Sequence, residues 1–292
     1  MKYPNLFIVG APKCGTTTIS KWLSQHEEIY FSPEKEPCFF YSPYGEPKAL
    51  TEYLSLFSHA EDRHKIVAEA TVWYLFSEFA CKKILNFNKD AKFLVCLRNP
   101  LEMAPSLHAQ KCYTGNELEQ DFNKAWTLSD EREKGSLKKT LGLKNGDPSH
   151  MSYRKACMLG EQVKRLLEIA DENKVHFVFI DDLQRDPEAE WSKIETFLDI
   201  YHCNIDLSKS YNKAKSRKSK LLHQILFLLG QLKKKTGIIG STGIFSNLHK
   251  KNSRESGYEK PNHETINQMK KSFSKDVRLL FTLTGKEKDW LK

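Results

Sequence analysis

Residues Gly10-Ala11-Pro12-Lys13-Cys14-Gly15-Thr16-Thr17-Thr18 place two glycines, one lysine and three consecutive threonines directly after the apolar run Leu6–Val9. Backbone N–H groups in such a turn point inward. The N-terminus of a following helix adds partial positive charge, and Lys13 adds a full one. This is chemistry for holding a phosphate. The spacing nearly matches the nucleotide-triphosphatase loop G-x-x-x-x-G-K-[ST]. Gly10 and Gly15 fit, but Thr16 stands where that loop needs lysine, and the lysine sits at 13 instead. Triphosphate chemistry is thereby weakened, and anion binding is not. The plain structural alternative is a tight glycine turn with threonine helix caps.

A second group is Leu97-Arg98-Asn99-Pro100, with Ser106 further along. Arg98 ends an apolar run read as a buried strand, so it emerges at the carboxyl edge of a sheet, where α/β proteins bind ligands. A guanidinium and a hydroxyl converging there would grip a second phosphate. Glu36, in Ser32-Pro33-Glu34-Lys35-Glu36-Pro37, is a candidate general base, and its bland reading is a surface glutamate paired with Lys35. His108 is the reserve base. Trp73 and Tyr74 suit either a pocket wall or the core.

The elements that must position these groups read as alternating strands and helices. Leu6–Val9, Ile29–Phe31, Ile66–Glu69, Lys92–Leu97 and Val175–Ile180 are strand candidates. Helices are predicted over Thr16–Gln25, Glu46–Ser58 (as a surface helix), Phe79–Phe87, after Pro100, over Tyr153–Ala170, Glu188–Leu198 and Thr265–Leu283. That alternation implies an α/β fold with a central, mainly parallel sheet and helices on both faces. No internal repeat or proline-rich linker interrupts it, so residues 1–292 are expected to form one domain. Gly115–Ser149 is polar and reads as helix plus loop. Residues 209–256 are rich in Lys, Ser and Gly and read as an insertion or flexible lid. Within them, Leu221–Leu229 followed by Lys233-Lys234-Lys235 suits a lid or core helix with a basic C-terminus, or a membrane-docking segment. Trp290 is placed to pin the C-terminus.

Composition narrows the class. The chain is 39% apolar and 28% charged, which is ordinary for a globular protein. Its formal charge of +9 suits an anionic ligand, nucleic acid or an acidic surface, or simply solubility. The positive residues are scattered, however, and Lys209–Lys220 lacks a ladder of interleaved aromatics, so no nucleic-acid partner is expected. Seven cysteines, an odd number without C-x-x-C spacing, argue against a disulfide framework or a zinc site. Met1-Lys2-Tyr3-Pro4-Asn5 leads straight into the first strand, so no signal peptide or membrane anchor is expected ahead of it. A cytoplasmic location is expected, with a peripheral membrane position open through Leu221–Leu229.

Taken together, the two phosphate-binding groups resemble those of sulfotransferases that use 3′-phosphoadenosine 5′-phosphosulfate. Pro12-Lys13-Cys14-Gly15-Thr16-Thr17 resembles that family's 5′-phosphosulfate loop, and Arg98 with Ser106 its 3′-phosphate pair. Lys35-Glu36-Pro37-Cys38-Phe39-Phe40 is similar to the Lys-Glu-Pro-x-Phe-Phe stretch of bacterial and heparan-sulfate-type members. Glu69-Ala70-Thr71 resembles the start of their next segment, except that Ala70 replaces a lysine, a departure from the heparan-type pattern. Asn212-Lys213-Ala214-Lys215-Ser216-Arg217 resembles a stretch leading into donor contacts. The resemblance is close over residues 5–110 and looser over 150–200, and 209–256 match poorly. It implies a sulfotransferase variant of the P-loop nucleotidase fold. It also implies sulfuryl transfer to a hydroxyl or amine of a small molecule, carbohydrate or lipid, with 3′,5′-adenosine diphosphate as product and no metal. The implied roles are Glu36 as base and Lys13 at the bridging oxygen. Cys14, Gly15, Thr16, Thr17, Thr18, Arg98, Ser106 and Arg217 would be donor contacts. A P-loop kinase or nucleotide triphosphatase remains the alternative, with a nucleic-acid-binding protein behind it.

Overall fold

The computed structural model describes residues 2–42, 48–135, 148–208, 258 and 260–291, together with the backbone of Lys215–Arg217 and Ser253–Glu255. Five strands, β1 (Leu6–Gly10), β2 (Ile29–Phe31), β3 (Ile66–Ala70), β4 (Lys92–Leu97) and β5 (Val175–Phe179), form one sheet in the order β2-β3-β1-β4-β5. Every pairing is parallel, with Leu6 opposite both Ala68 and Lys92, Ile29 opposite Ile66, and Phe93 opposite Val175. β1 and β3 are buried along their whole length, as is β4 after its first residue. Strands covered on both faces need no polar alternation, so they read as unbroken apolar runs.

Chain order fixes where a ligand can go. From β1 the chain moves to β2 and β3 on one side, then crosses to β4 and β5 on the other. The order therefore reverses at β1, and the carboxyl ends of β1 and β4 border the resulting crevice. Helix α1 (Thr16–Leu23) follows β1. Helices α2 (Leu50–Ser55) and α3 (Ala80–Phe87) flank β3 in sequence. Helix α4 (Pro100–Thr114) follows β4, with Pro100 in its first turn and the Asn99 side chain accepting from Leu101 N–H. Short helices α5 (Phe122–Thr127) and α6 (Ser129–Glu133) come next.

Three expectations need correction here. The amphipathic run Tyr153–Ala170 is split into α7 (Tyr153–Ala156) and α8 (Leu159–Leu167). The cause is a distant carboxylate: Asp276 accepts from Gly160 N–H and Glu161 N–H, both at 2.9 Å, and so caps a fresh helix start. A Cβ on Gly160 would lie 2.2 Å from the Asp276 carbonyl oxygen, so only glycine permits this approach. The second correction is at Ile180, which opens α9 (Ile180–Arg185) rather than ending β5, and α10 (Pro187–Leu198) follows. The third concerns the helix expected over Glu46–Ser58, which among the described residues runs over Leu50–Ser55, with Glu46 and Pro47 outside them. It is not merely a surface helix, because Tyr53 is buried and stacks on Phe39 at 4.3 Å.

Helix α11 (His263–Thr284) packs along α8. Beyond it Trp290 is buried, its indole N–H donates to Asp181 at 2.6 Å, and its carbonyl accepts from Asn99 at 3.0 Å. The stretch 209–256 lies outside the described residues, apart from the backbone of β6 (Lys215–Arg217) and β7 (Ser253–Glu255), an antiparallel pair. β6 runs beside α4. The Leu221–Leu229 segment and the Arg217 side chain are likewise outside the described residues. Among the described residues, no helix is long and apolar enough to cross a membrane.

Candidate active site

Every strand of the sheet delivers one part of the site from its carboxyl end. After β1 the chain turns through Lys13, whose φ is +66°, to Gly15, whose φ is +89° and which caps α1. Glycine suits that left-handed position because it has no Cβ to clash. Gly10 has a different reason: a Cβ there would lie 2.9 Å from the Val72 carbonyl oxygen, in the segment after β3. The N–H groups of Thr16 and Thr17 have no intrahelical acceptor, being in the first turn of α1.

Lys13 lies where two cavities meet. One, of about 360 Å³, is lined by Lys13, Gly15, Thr18, Arg98 and Ser106, and by Ile180 and Leu183 of α9. That volume is within the range of small-ligand sites, roughly 300–1,000 Å³. The other, of about 140 Å³, is lined by Lys13, Thr16, Thr17, Lys35, Glu36 and Trp73, and by Gln110 and Lys111 of α4.

In the first cavity Arg98 is held in place. Its Nη1 donates to the Lys13 carbonyl at 3.1 Å, and Nε and Nη2 donate to Glu102 at 3.1 and 3.0 Å. Ser106 is buried two turns along α4. Tyr258 stands beside Arg98 and bonds to it. Cys14 differs from its neighbours. Its thiol packs into the core against Met103, 3.7 Å away, and burial pushes it up to about 12, so it contributes as neutral filling.

In the second cavity Glu36 follows β2 and has a φ of +62°. Among the described residues, two of the four non-glycine residues with positive φ are thus Lys13 and Glu36, and such conformations collect at functional sites. Main-chain bonds fix the Glu36 loop: Glu36 N–H donates to Ala70 O at 2.9 Å, and Val72 N–H donates to Glu36 Oε2 at 3.0 Å. Burial raises the Glu36 carboxyl above the ordinary range, against the pull of Lys35 and the Val72 N–H. The pairing with Lys35 is present but loose, at 3.9 Å.

Beneath that loop lies a carboxyl with no exposure, Glu69. It accepts from the hydroxyls of Tyr53 at 3.0 Å, Tyr74 at 3.2 Å and Thr71 at 2.9 Å. Thr71 and Tyr74 accept in turn from Cys38 N–H and Phe40 N–H. Burial raises Glu69 to about 7 despite those hydroxyls. Tyr74 therefore belongs to this core network, whereas Trp73 lines the cavity.

The cations are gathered against their mutual repulsion. Burial, and after it the charges of Arg98 and Lys35, pull the Lys13 ammonium below the ordinary lysine range. Burial also lowers Lys35. A fold that concentrates Lys13, Lys35 and Arg98 around open space has built a receptor for a multiply charged anion.

Of the residues singled out in the sequence, Lys13, Gly15, Thr16, Thr17, Thr18, Glu36, Arg98 and Ser106 are brought together on these two cavities. His108 is not. It is buried against Phe122 and Tyr153 with Nε2 2.8 Å from Glu119 O, and burial lowers its basicity. Sequence reasoning missed the α9 wall, Tyr258, Gln110 and Lys111. The spacing of Ile180 and Leu183 was the available signal for α9. Among the described residues, no group of three or more His, Cys, Asp or Glu is placed to hold a metal ion.

Comparison with known proteins bears on this geometry. The sulfotransferase-domain family model matches residues 3–227. The membrane-associated sulfotransferase kil1 of Dictyostelium discoideum is 30% identical over 108 residues, 35% of this chain and 22% of kil1. Heparan sulfate glucosamine 3-O-sulfotransferase 6 of Mus musculus is 31% identical over 109 residues, 37% of this chain and 31% of that enzyme. The chain thus spans about a fifth to a third of the length of these curated relatives. A crystal structure of a sulfotransferase from Alicyclobacillus acidocaldarius superposes over 100% of both chains with a TM-score of 0.72 at 22% identity, which establishes a shared fold.

Proposed function

The chain belongs to the sulfotransferase-domain family, and on that premise we propose that it transfers a sulfuryl group from 3′-phosphoadenosine 5′-phosphosulfate to an acceptor hydroxyl or amine. The observation that carries this reading is the junction at Lys13. On one side is a cavity with Arg98 and Ser106, and on the other a cleft with Glu36. Two separated anion grips on one side suit a nucleotide phosphorylated at both 3′ and 5′ positions. Arg98 and Ser106 would hold the 3′-phosphate, while the N–H groups of Gly15, Thr16 and Thr17 and the threonine hydroxyls would hold the 5′-phosphate. The apolar faces of Ile180 and Leu183 suit the base. The packing of α11 and Trp290 onto the rest of the fold supports reading residues 1–292 as one domain.

The chemistry needs positioning and charge more than covalent help. Glu36 would take the acceptor proton as the new sulfur–oxygen bond forms. The bond from sulfur to the bridging oxygen breaks, and its electron pair leaves on the 5′-phosphate. Lys13 would stabilise that developing charge. Its lowered pKa still leaves an ammonium beside the dianionic 5′-phosphate of the product, because that charge favours the protonated form.

The acceptor is proposed only by class. Carbohydrate, lipid and small-metabolite hydroxyls all suit a polar cleft, and a cytoplasmic setting is proposed on the cysteine pattern. Labelled sulfate transfer onto an extract of the source cell identifies the acceptor. With that acceptor, Glu36→Gln is expected to keep 3′,5′-adenosine diphosphate affinity and lose roughly 10²–10⁴-fold in turnover. Near-normal turnover in that variant removes Glu36 from the mechanism.

A further inference from the structure

Lys35 occupies a position that a mere partner of Glu36 would not need. Its ammonium donates to Thr17 Oγ1 at 2.6 Å and stands 3.9 Å from Glu36 Oε1. Thr17 belongs to the anion-binding turn of α1, and Glu36 to the loop after β2. Lys35 therefore spans the seam between the donor loop and the loop of the base, and it lines the same cleft as Lys13. Its side chain is 37% exposed, so it has room to turn. Its contacts here are a neutral hydroxyl and a loosely placed carboxylate.

We propose that Lys35 is a second catalytic cation, contacting the non-bridging oxygens of the sulfuryl group as it passes from donor to acceptor. This rests on the donor reading above. In an in-line transfer, the bridging oxygen faces Lys13 and the attacking oxygen faces Glu36. The three remaining sulfuryl oxygens spread around the transfer axis, and those on the side of Thr17 and Lys35 come within reach of the Lys35 ammonium. A fixed positive charge there stabilises the negative charge that those oxygens share in the transition state. Lys35 keeps its proton throughout. The sulfur–oxygen bond to the acceptor forms, the bond to the 5′-phosphate oxygen breaks, and the acceptor proton goes to Glu36.

The same ammonium favours the ionised form of Glu36. The groups facing Glu36 are Lys35 and the Cys38 thiol from its own loop, the Val72 N–H and the buried Glu69 carboxyl from β3 and its extension, and Lys13 and Lys111 across the cleft. Of these, Lys35 is the charge that opposes the effect of burial on Glu36. Removing it has a signature that a structural strut lacks: the acid limb of the rate profile moves to higher pH.

The test uses the whole chain as wild type, Lys35→Gln and Lys35→Arg, with the acceptor found by the extract screen. Three quantities are read: kcat, the pH profile of kcat/KM, and the affinity for 3′,5′-adenosine diphosphate, which lacks the sulfuryl group. For Lys35→Gln the expected result is a fall in kcat of roughly 10²-fold, a 3′,5′-adenosine diphosphate affinity close to wild type, and an acid limb displaced upward. Lys35→Arg keeps the charge and is expected to recover part of kcat and the wild-type acid limb. The proposal is overturned if Lys35→Gln keeps kcat and the acid limb, or if it loses product affinity with kcat unchanged. If Lys35→Gln does not fold, an Lys35→Arg acid limb displaced as if the charge were gone also overturns it. Wild-type protein that neither binds 3′,5′-adenosine diphosphate nor transfers sulfate removes the donor reading itself, and this inference with it.

Discussion

The two cavities that share Lys13 are built by different means. The larger one takes its polar groups from strand ends and helix starts: the turn after β1, Arg98 after β4 and Ser106 on the helix that follows. Their positions are set by the parallel register, with Leu6 aligned to Lys92 and Leu97 to Phe179. The smaller cleft depends on a loop held by side chains. Glu36 and Cys38 sit at positive φ, and the loop hangs on Thr71 and Tyr74, which lean on the buried Glu69. A site made from regular backbone tolerates loss of one side chain better than a loop suspended from one buried carboxyl.

That contrast can be broken or sharpened by substitution. The largest expected effect is on the loop. Glu69 binds its proton up to about 7 in the fold against an ordinary 4.5. Ionised Glu69 therefore opposes folding. Its contribution to stability is fully present below pH about 4.5 and is lost as pH rises through about 7. The loss is about 3 kcal/mol from the linkage of pKa to stability. Glu69→Gln is expected to abolish this part of the pH dependence, as measured by denaturant unfolding at a series of pH values. A stability curve unchanged in shape would show that Glu69 does not titrate in this range.

The next effect is on the other side. Arg98→Ala is expected to weaken 3′,5′-adenosine diphosphate by about 1.5–3 kcal/mol, roughly 10- to 150-fold, because a hydrogen bond to a charged group is lost. Ser106→Ala removes one hydroxyl and is expected to cost less, about 1 kcal/mol. Both are read by calorimetric titration. If Glu36→Gln lowered product affinity as much as Arg98→Ala, the division of labour between the cavities would fail.

The same contrast governs what was legible in the sequence. The strands were readable because both of their faces are covered, which leaves unbroken apolar runs such as Phe93–Leu97. The residues that line the larger cavity were readable because backbone geometry dictates them: glycine at Gly15 for its positive φ, and Arg98 at a strand end. The break between α7 and α8 was not, since the carboxylate that caps α8 is Asp276, 116 residues from Gly160. Helix α9 was hidden because Ile180 continues the apolar run of β5. In the smaller cleft, Gln110 and Lys111 look like ordinary polar helix residues. Only their place on the cleft distinguishes them, and no local pattern encodes that. Arg217 and the 209–256 stretch stand as sequence expectations only.

The most direct test of the central claim needs no acceptor. The chain is titrated calorimetrically with 3′,5′-adenosine diphosphate and, separately, with 5′-adenosine monophosphate, which differs only in lacking the 3′-phosphate. The expected result is tighter binding of the doubly phosphorylated nucleotide by roughly tenfold or more, with the difference abolished in Arg98→Ala. Equal affinities for the two nucleotides, or tighter binding of ATP with magnesium, would contradict the assignment of this cavity to a nucleotide sulfate donor.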